Sequence, residues 1–240
     1  MARERLNGMA DDATWHEFAS REELAGALAS VVADVLRAAI EKRGNALFAV
    51  SGGNTPGMFF RELSRQELDW DNVTVTLVDE RFVPEDSPRS NARLVRENLL
   101  QGKAAAARFA GLFSDASTVE DAAESAGKRL SRLSLPLDAV ILGMGTDGHT
   151  ASFFPDAGNL ESLLDLSAGA IVAPVHAASG GEPRLTLTLA RILEAGFVAL
   201  HIEGAEKRHV LEAALGGEAH LPVGAVLERA PQPVQVFWAP

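Results

Sequence analysis

The stretch LGMGTDGHTASFFP, Leu142 to Pro155, sets a carboxylate and an imidazole two residues apart in a glycine-rich turn, directly after the apolar run Leu137 to Leu142. Histidine titrates nearest neutrality, so His149 beside Asp147 has the makings of a general base with an orienting acid. Three more clusters of polar residues follow apolar runs. Ser51-Gly52-Gly53-Asn54-Thr55 combines unobstructed backbone amides, two hydroxyls, a carboxamide and the start of a helix, the ingredients of an anion cradle. Asp79, Glu80 and Arg81 close the run Val73 to Val78, too abruptly for mere solubility. Arg184 opens a β-rich segment after Gly180-Gly181-Glu182-Pro183, and Lys207 falls in the first turn of a helix after Gly204. A helix start favours anions, so a lysine there points to an anionic ligand shared between amides and ammonium.

Two literal motif matches lead elsewhere. Gly143-x-Gly145-x-x-Gly148 fits the dinucleotide fingerprint, but Pro155 comes within about two helical turns of Gly148 and leaves little room for the helix that would hold a pyrophosphate. Ala49-Val50-Ser51-Gly52-Gly53 imitates a nucleophile elbow, yet the next helix is expected to begin only near Pro56, whereas an elbow serine sits on the strand-to-helix turn itself. The glycine loop is not a Walker loop, because no lysine follows the glycines.

The elements that must position these residues alternate. Ser20 with Glu23 reads as a capping box for a helix bearing Leu24, Leu28, Val31, Val35 and Ile40 and stopped at Gly44. Strands are expected at Ala46–Val50, Val73–Val78, Arg108–Phe113, Leu137–Leu142, Ala170–Val175, Phe197–Ile202 and Val234–Trp238, with Arg184–Leu189 also β-rich. Helices are expected after Pro56, after Ser90, over Thr118–Leu133 and over Ala205–Leu215. The alternation predicts an α/β fold, a three-layer domain with a mostly parallel sheet. No repeat or linker divides the chain, so residues 1–240 are read as one domain. In such sheets ligands bind beyond the carboxyl ends of the strands, where the four polar clusters fall.

The chain has 240 residues, 47% of them hydrophobic, enough for one well-buried domain. There is no cysteine, which excludes disulfides and thiol catalysis and suits a reducing compartment. The first residues, MARERLNGMADDATWHEF, are charged throughout and have no apolar run of signal-peptide length, so a soluble cytoplasmic protein is expected. A net charge of -11 argues against nucleic acid as a partner, and no membrane partner is expected. Six histidines form neither HExxH nor a compact ligand set, so no metal and no cofactor are expected. His16, His176, His201, His209 and His220 receive no role. Monomer and homodimer both stay open.

In order along the chain, SGGNTP, VDERFVP with SNARLVRENLL, ILGMGTDGHTASFFP, PRLTLTL and EGAEKRHVL resemble the 6-phosphogluconolactonases of the bacterial, non-propeller kind. The resemblance runs from about residue 15 to the C-terminus. It implies a modified Rossmann-like fold shared with glucosamine-6-phosphate deaminases and ribose-5-phosphate isomerases. It also implies hydrolysis of 6-phospho-D-glucono-1,5-lactone to 6-phosphogluconate, the second step of the oxidative pentose phosphate pathway, with His149 as base. Asp147 or Asp79 would then orient the imidazole or the sugar hydroxyls, and Arg81 would counter charge on the lactone oxygen. Ser51, Gly52, Gly53, Asn54, Thr55, Arg184 and Lys207 would hold the phosphate. Asn54 departs from the family's usual serine, which bears on the contact made by that side chain but not on the amides. The rivals are a deaminase or isomerase on the same fold, which carries a glutamate where this chain has Phe154, and a non-catalytic sugar-phosphate sensor.

Overall fold

The computed structural model describes residues 13–217 and 220–240; the reading of the first twelve residues as leader-free lies outside them. The chain forms β1 (Ala13–Glu17), α1 (Arg21–Arg43), β2 (Ala46–Val50), α2 (Gly57–Ser64), β3 (Val73–Leu77), β4 (Asp79–Arg81), α3 (Asn91–Asn98), β5 (Arg108–Ala110) and α4 (Val119–Leu130). It continues with β6 (Ala139–Leu142), α5 (Leu160–Leu164), β7 (Val172–Val175), β8 (Arg184–Leu187), α6 (Leu189–Leu193), β9 (Phe197–Glu203), α7 (Ala205–Leu215), α8 (Pro222–Arg229) and β10 (Val234–Ala239).

Seven strands make one sheet in the order β1-β10-β9-β6-β2-β3-β5, every pair parallel. From β2 the chain winds outward through β3 to β5, and from β6 it winds the other way through β9 to β10. The reversal therefore lies between β2 and β6, where an open sheet leaves a crevice at the strands' carboxyl ends. The central strands are apolar on both faces because helices cover both; all five residues of β2 and all four of β6 are buried.

The expected α/β fold with a mostly parallel sheet is present, with one addition. A separate antiparallel sheet, β4-β8-β7, is built from Asp79–Arg81, Arg184–Leu187 and Val172–Val175. One residue bonds to both sheets: the Val78 N–H donates to Val50 O (2.9 Å), and Val78 O accepts from the Leu187 N–H (2.8 Å).

The cap of α1 forms as read, with Ser20 Oγ accepting from the Glu23 amide, while Glu23 reaches back to the amide of Ala19. Gly44 closes the helix in the left-handed conformation, φ 81°. The apolar stripe needs correction: Val31 is exposed and Val35 and Ile40 only half-buried, whereas Ala25, Ala29, Val32, Ala33 and Leu36 are buried. The small alanine side chains let α1 lie close to its neighbours, so the buried face is rotated from the one that the larger residues suggest. Two expected elements are shorter than read, α4 ending at Leu130 and β5 at Ala110. β1 and α8 were not anticipated. β1 is an edge strand fixed from outside its own sequence: Arg208 bonds Glu17 and lies over the rings of Trp15 and Trp238, at 5.3 and 4.5 Å.

Candidate active site

A cleft of about 290 Å³ opens at the carboxyl ends of β2 and β6, where the sheet order reverses. On one side lies the loop Ser51 to Thr55. The Ser51 amide completes the parallel pairing by donating to Ile141 O (2.9 Å), but among the described residues no backbone bond takes up the amides of Gly52, Gly53, Asn54 or Thr55. Gly53 holds φ 92°, a conformation that costs a side-chain-bearing residue roughly 1–2 kcal/mol. Gly52 lies so close to the Asn91 side chain that a methyl group would collide with it. Helix α2 begins at Gly57, with Pro56 before it, so Ser51 is well separated from the helix and not on an elbow.

Lys207 approaches this loop from the third position of α7, its Nζ donating to Thr55 Oγ1 (3.3 Å). The N-cap of α7 is Gly204, which offers no side chain, so the first amides of the helix have no side-chain cap. Burial lowers the Lys207 ammonium below the usual lysine value; the nearby Glu203 carboxylate opposes that and Arg21 adds to it. A cation held partly out of water beside free amides is a site short of an anion.

The turn after β6 carries the other half. His149 Nδ1 lies 2.6 Å from Asp147 Oδ1, and the same oxygen accepts from the His149 backbone amide (3.2 Å). A carboxylate only accepts, so the ring is fixed with its proton on Nδ1, leaving Nε2 as the acceptor. Gly145 is required here because a methyl group would strike both the His149 ring and the Asp147 carboxylate. Residues 143–158 contain no helix, which removes the dinucleotide reading of these glycines. Ala151 follows with φ 51°, a strained conformation for alanine, and Ser152 Oγ then donates to Asp79 Oδ2 (2.7 Å).

The antiparallel sheet supplies the remaining groups. Asp79 is buried and lies 3.9 Å from Arg184 Nη1. Arg184 itself is 7% exposed; its Nη2 donates to Gly180 O (2.6 Å), and its Nε has no partner among the described residues. Burial lowers its guanidinium below the ordinary arginine value, with Asp79 and Glu182 pulling upward and Arg81 and Arg89 adding to the depression. Arg81 donates from Nη1 to Arg89 O (2.5 Å) and also faces the cleft. Glu80 points away. Its carboxylate takes the amides of Arg81, Asn91 and Ala92 and the Ser90 hydroxyl, tying β4 to the start of α3.

The structure thus brings Ser51, Gly52, Gly53, Asn54, Thr55, Asp79, Arg81, His149, Arg184 and Lys207 to one cleft, with Asp147 behind His149 as its partner. The two candidate phosphate cations occupy different parts of it: Lys207 touches the glycine loop, and Arg184 stands on the His149 side. Sequence reasoning missed Asn91, whose Nδ2 donates to Asp79 O (2.9 Å), and His201. His201 is 3% exposed, with Nε2 3.3 Å from Glu203 Oε1 in an orientation that makes no hydrogen bond. Its position two residues before Glu203 in the EGAEK segment was the available signal. Among the described residues, no three His, Asp or Glu side chains group as a metal site.

A family model described as glucosamine-6-phosphate isomerases/6-phosphogluconolactonase matches residues 19–238. The 6-phosphogluconolactonase of Mesorhizobium japonicum is 59% identical over 240 residues, covering 100% of both chains. That of Rhizobium meliloti is 54% identical over 230 residues, covering 95% of this chain and 99% of its own. Among solved structures, a 6-phosphogluconolactonase from Shewanella baltica superposes with a TM-score of 0.92 at 40% identity, covering 95% of this chain and 98% of its own.

Proposed function

The chain belongs to the family of glucosamine-6-phosphate isomerases and 6-phosphogluconolactonases and is a lactonase within it, and on that premise we propose a mechanism of histidine-assisted attack by water on the lactone carbonyl. The observation that carries it is the 2.6 Å contact between His149 Nδ1 and Asp147, which leaves Nε2 as a proton acceptor at the cleft. Nε2 takes a proton from water as the water oxygen bonds to C1 of 6-phospho-D-glucono-1,5-lactone. The carbonyl becomes a tetrahedral oxyanion, and Arg81 supplies positive charge beside it. Collapse breaks the bond from C1 to the ring oxygen, and the imidazolium returns its proton to that oxygen. The products are a carboxylic acid, which ionises, and a free hydroxyl. A lactone is electrophilic enough for this without a covalent intermediate.

The 6-phosphate is assigned to the amides of Gly52 to Thr55, the Ser51 and Thr55 hydroxyls, Lys207 and Arg184. Asp79, buried and held by Ser152, is assigned to the sugar hydroxyls. A deaminase or isomerase reading is disfavoured by Phe154, which is buried and carries no proton to shuttle where those enzymes use a glutamate. Generating the lactone with glucose-6-phosphate dehydrogenase and following its disappearance tests the mechanism. Wild type accelerates hydrolysis, and His149→Gln falls to nearly the spontaneous rate; full activity in that variant would move the base elsewhere.

A further inference from the structure

Phe154 is 3% exposed and has no polar atom, yet it touches both halves of the chemistry. The His149 ring lies 4.5 Å from its centroid at 32°, and the Arg184 guanidinium carbon lies over its face at 5.3 Å. Neither partner is fully held by anything else. Asp147 fixes one nitrogen of the imidazole, which still permits the ring to swing about that bond. Among the described residues, Arg184 has a single hydrogen bond at Nη2, an unpartnered Nε, and carboxylates only at 3.9 and 4.0 Å. The turn that supplies this single bond closes on the same ring: a methyl group on Gly180 would come within 3.2 Å of Phe154.

We infer that Phe154 is a positioning residue of the lactonase site, one buried ring that seats both the imidazole of His149 and the guanidinium of Arg184, so that base and cation are set by the same side chain. The inference rests on the roles given to His149 and Arg184 above. An aromatic face carries negative charge density, so it favours a cation within about 6 Å. The guanidinium is therefore held by the ring's electrons and not only by its bulk, and so is the imidazolium formed during turnover. The charged groups around this pair are Asp147 on His149, and Asp79, Glu182, Arg81 and Arg89 near Arg184.

Replacing Phe154 by ring-fluorinated phenylalanines, from mono- to pentafluoro, keeps the shape while withdrawing charge from the face. Along the series, KM for the phosphorylated lactone is expected to rise roughly three- to tenfold, the span of one cation–π contact. KM for unphosphorylated gluconolactone stays constant. The pH at which His149 takes up its proton, followed by NMR in the free enzyme, moves downward because the imidazolium loses its seat, and the acid limb of kcat/KM moves with it. A constant KM together with an unmoved His149 titration would overturn the proposal and reduce Phe154 to packing. If the NMR titration moves but the limb of activity does not, the seat stands and the assignment of His149 as base falls.

Discussion

At the scale of single residues, the proposed work is divided among three side chains. His149→Ala is expected to lower turnover by at least about a hundredfold, the low end of what a positioned acid–base group contributes, with little change in product binding. Steady-state kinetics and calorimetry with 6-phosphogluconate check both halves; near-normal turnover would refute the role. Arg184→Ala and Lys207→Ala are each expected to weaken binding of the phosphorylated lactone by about one to two orders of magnitude, as lost charge-assisted contacts of roughly 1.5–3 kcal/mol require. The loss on unphosphorylated gluconolactone should be far smaller. Equal losses on both substrates would show that these side chains support the fold or the chemistry and do not read the phosphate. At this scale Asp147 and His149 were legible because their partnership is local, two residues apart in one turn. The contact of Phe154 with Arg184 was not, because it joins segments thirty residues apart through a ring with no chemistry of its own.

Among the elements, the start of α3 depends on a residue outside the helix. Glu80 accepts four hydrogen bonds, yet burial outweighs them and raises its carboxyl above the ordinary glutamate value. A raised value means that the folded protein binds this proton more tightly than the unfolded chain. Its contribution is therefore fully present below the unfolded value and is lost as pH rises through the folded one. Glu80→Gln puts an amide donor against backbone donors and should destabilise the protein by about 1–3 kcal/mol in urea titrations, with faster exchange at the Asn91 and Ala92 amides. The wild-type stability advantage should narrow as pH rises through the raised value; an unchanged midpoint would show that the four bonds carry no net stability.

Lys207 has the opposite sign. Its depressed value favours the neutral amine, so the related stability is present above the unfolded lysine value and lost as pH falls through the folded one. At neutral pH the ammonium is a cost to the ligand-free fold, added to its unfavourable place at a helix start. Lys207→Met should therefore raise the melting temperature of the free protein by about 1–3 °C and shrink the further rise caused by a given concentration of 6-phosphogluconate. A lower melting temperature without ligand would contradict that account. Central strands and the longer helices were readable from apolar runs and caps. β1 and β4 were not: ATWHE and DER carry no strand pattern, and each owes its pairing to distant partners, β10 and β8.

For the molecule as a whole, the α/β class with a mostly parallel sheet and the placing of polar clusters at its strand ends followed from alternation and from polar residues after apolar runs, whereas the strand order and the second sheet did not. Its strand β4 comes from a segment about a hundred residues before β7 and β8, and nothing local announces that they meet. Among the described residues, no helix is long and apolar enough to cross a membrane. The seam at Val78 joins the layer that carries the glycine loop to the layer that carries Arg184. With the N–H and C=O of buried Val78 bonded one to each sheet, hydrogen exchange at the Val78 and Leu187 amides should be among the slowest in the protein, and 6-phosphogluconate should slow it only by as much as it stabilises the whole fold. Slowing at these amides beyond that global stabilisation would reveal a closing motion.

A seam of this kind also bears on how such a protein can be changed. The glycine loop and Lys207, proposed for the phosphate, belong to the large sheet, whereas Asp79 and Arg184 belong to the small one, and Val78 is bonded to both. Segments beside β7 and β8 can therefore be exchanged, provided Arg184 is kept, to admit lactones of other ring size or stereochemistry while the glycine loop and Lys207 keep their proposed grip on the phosphate.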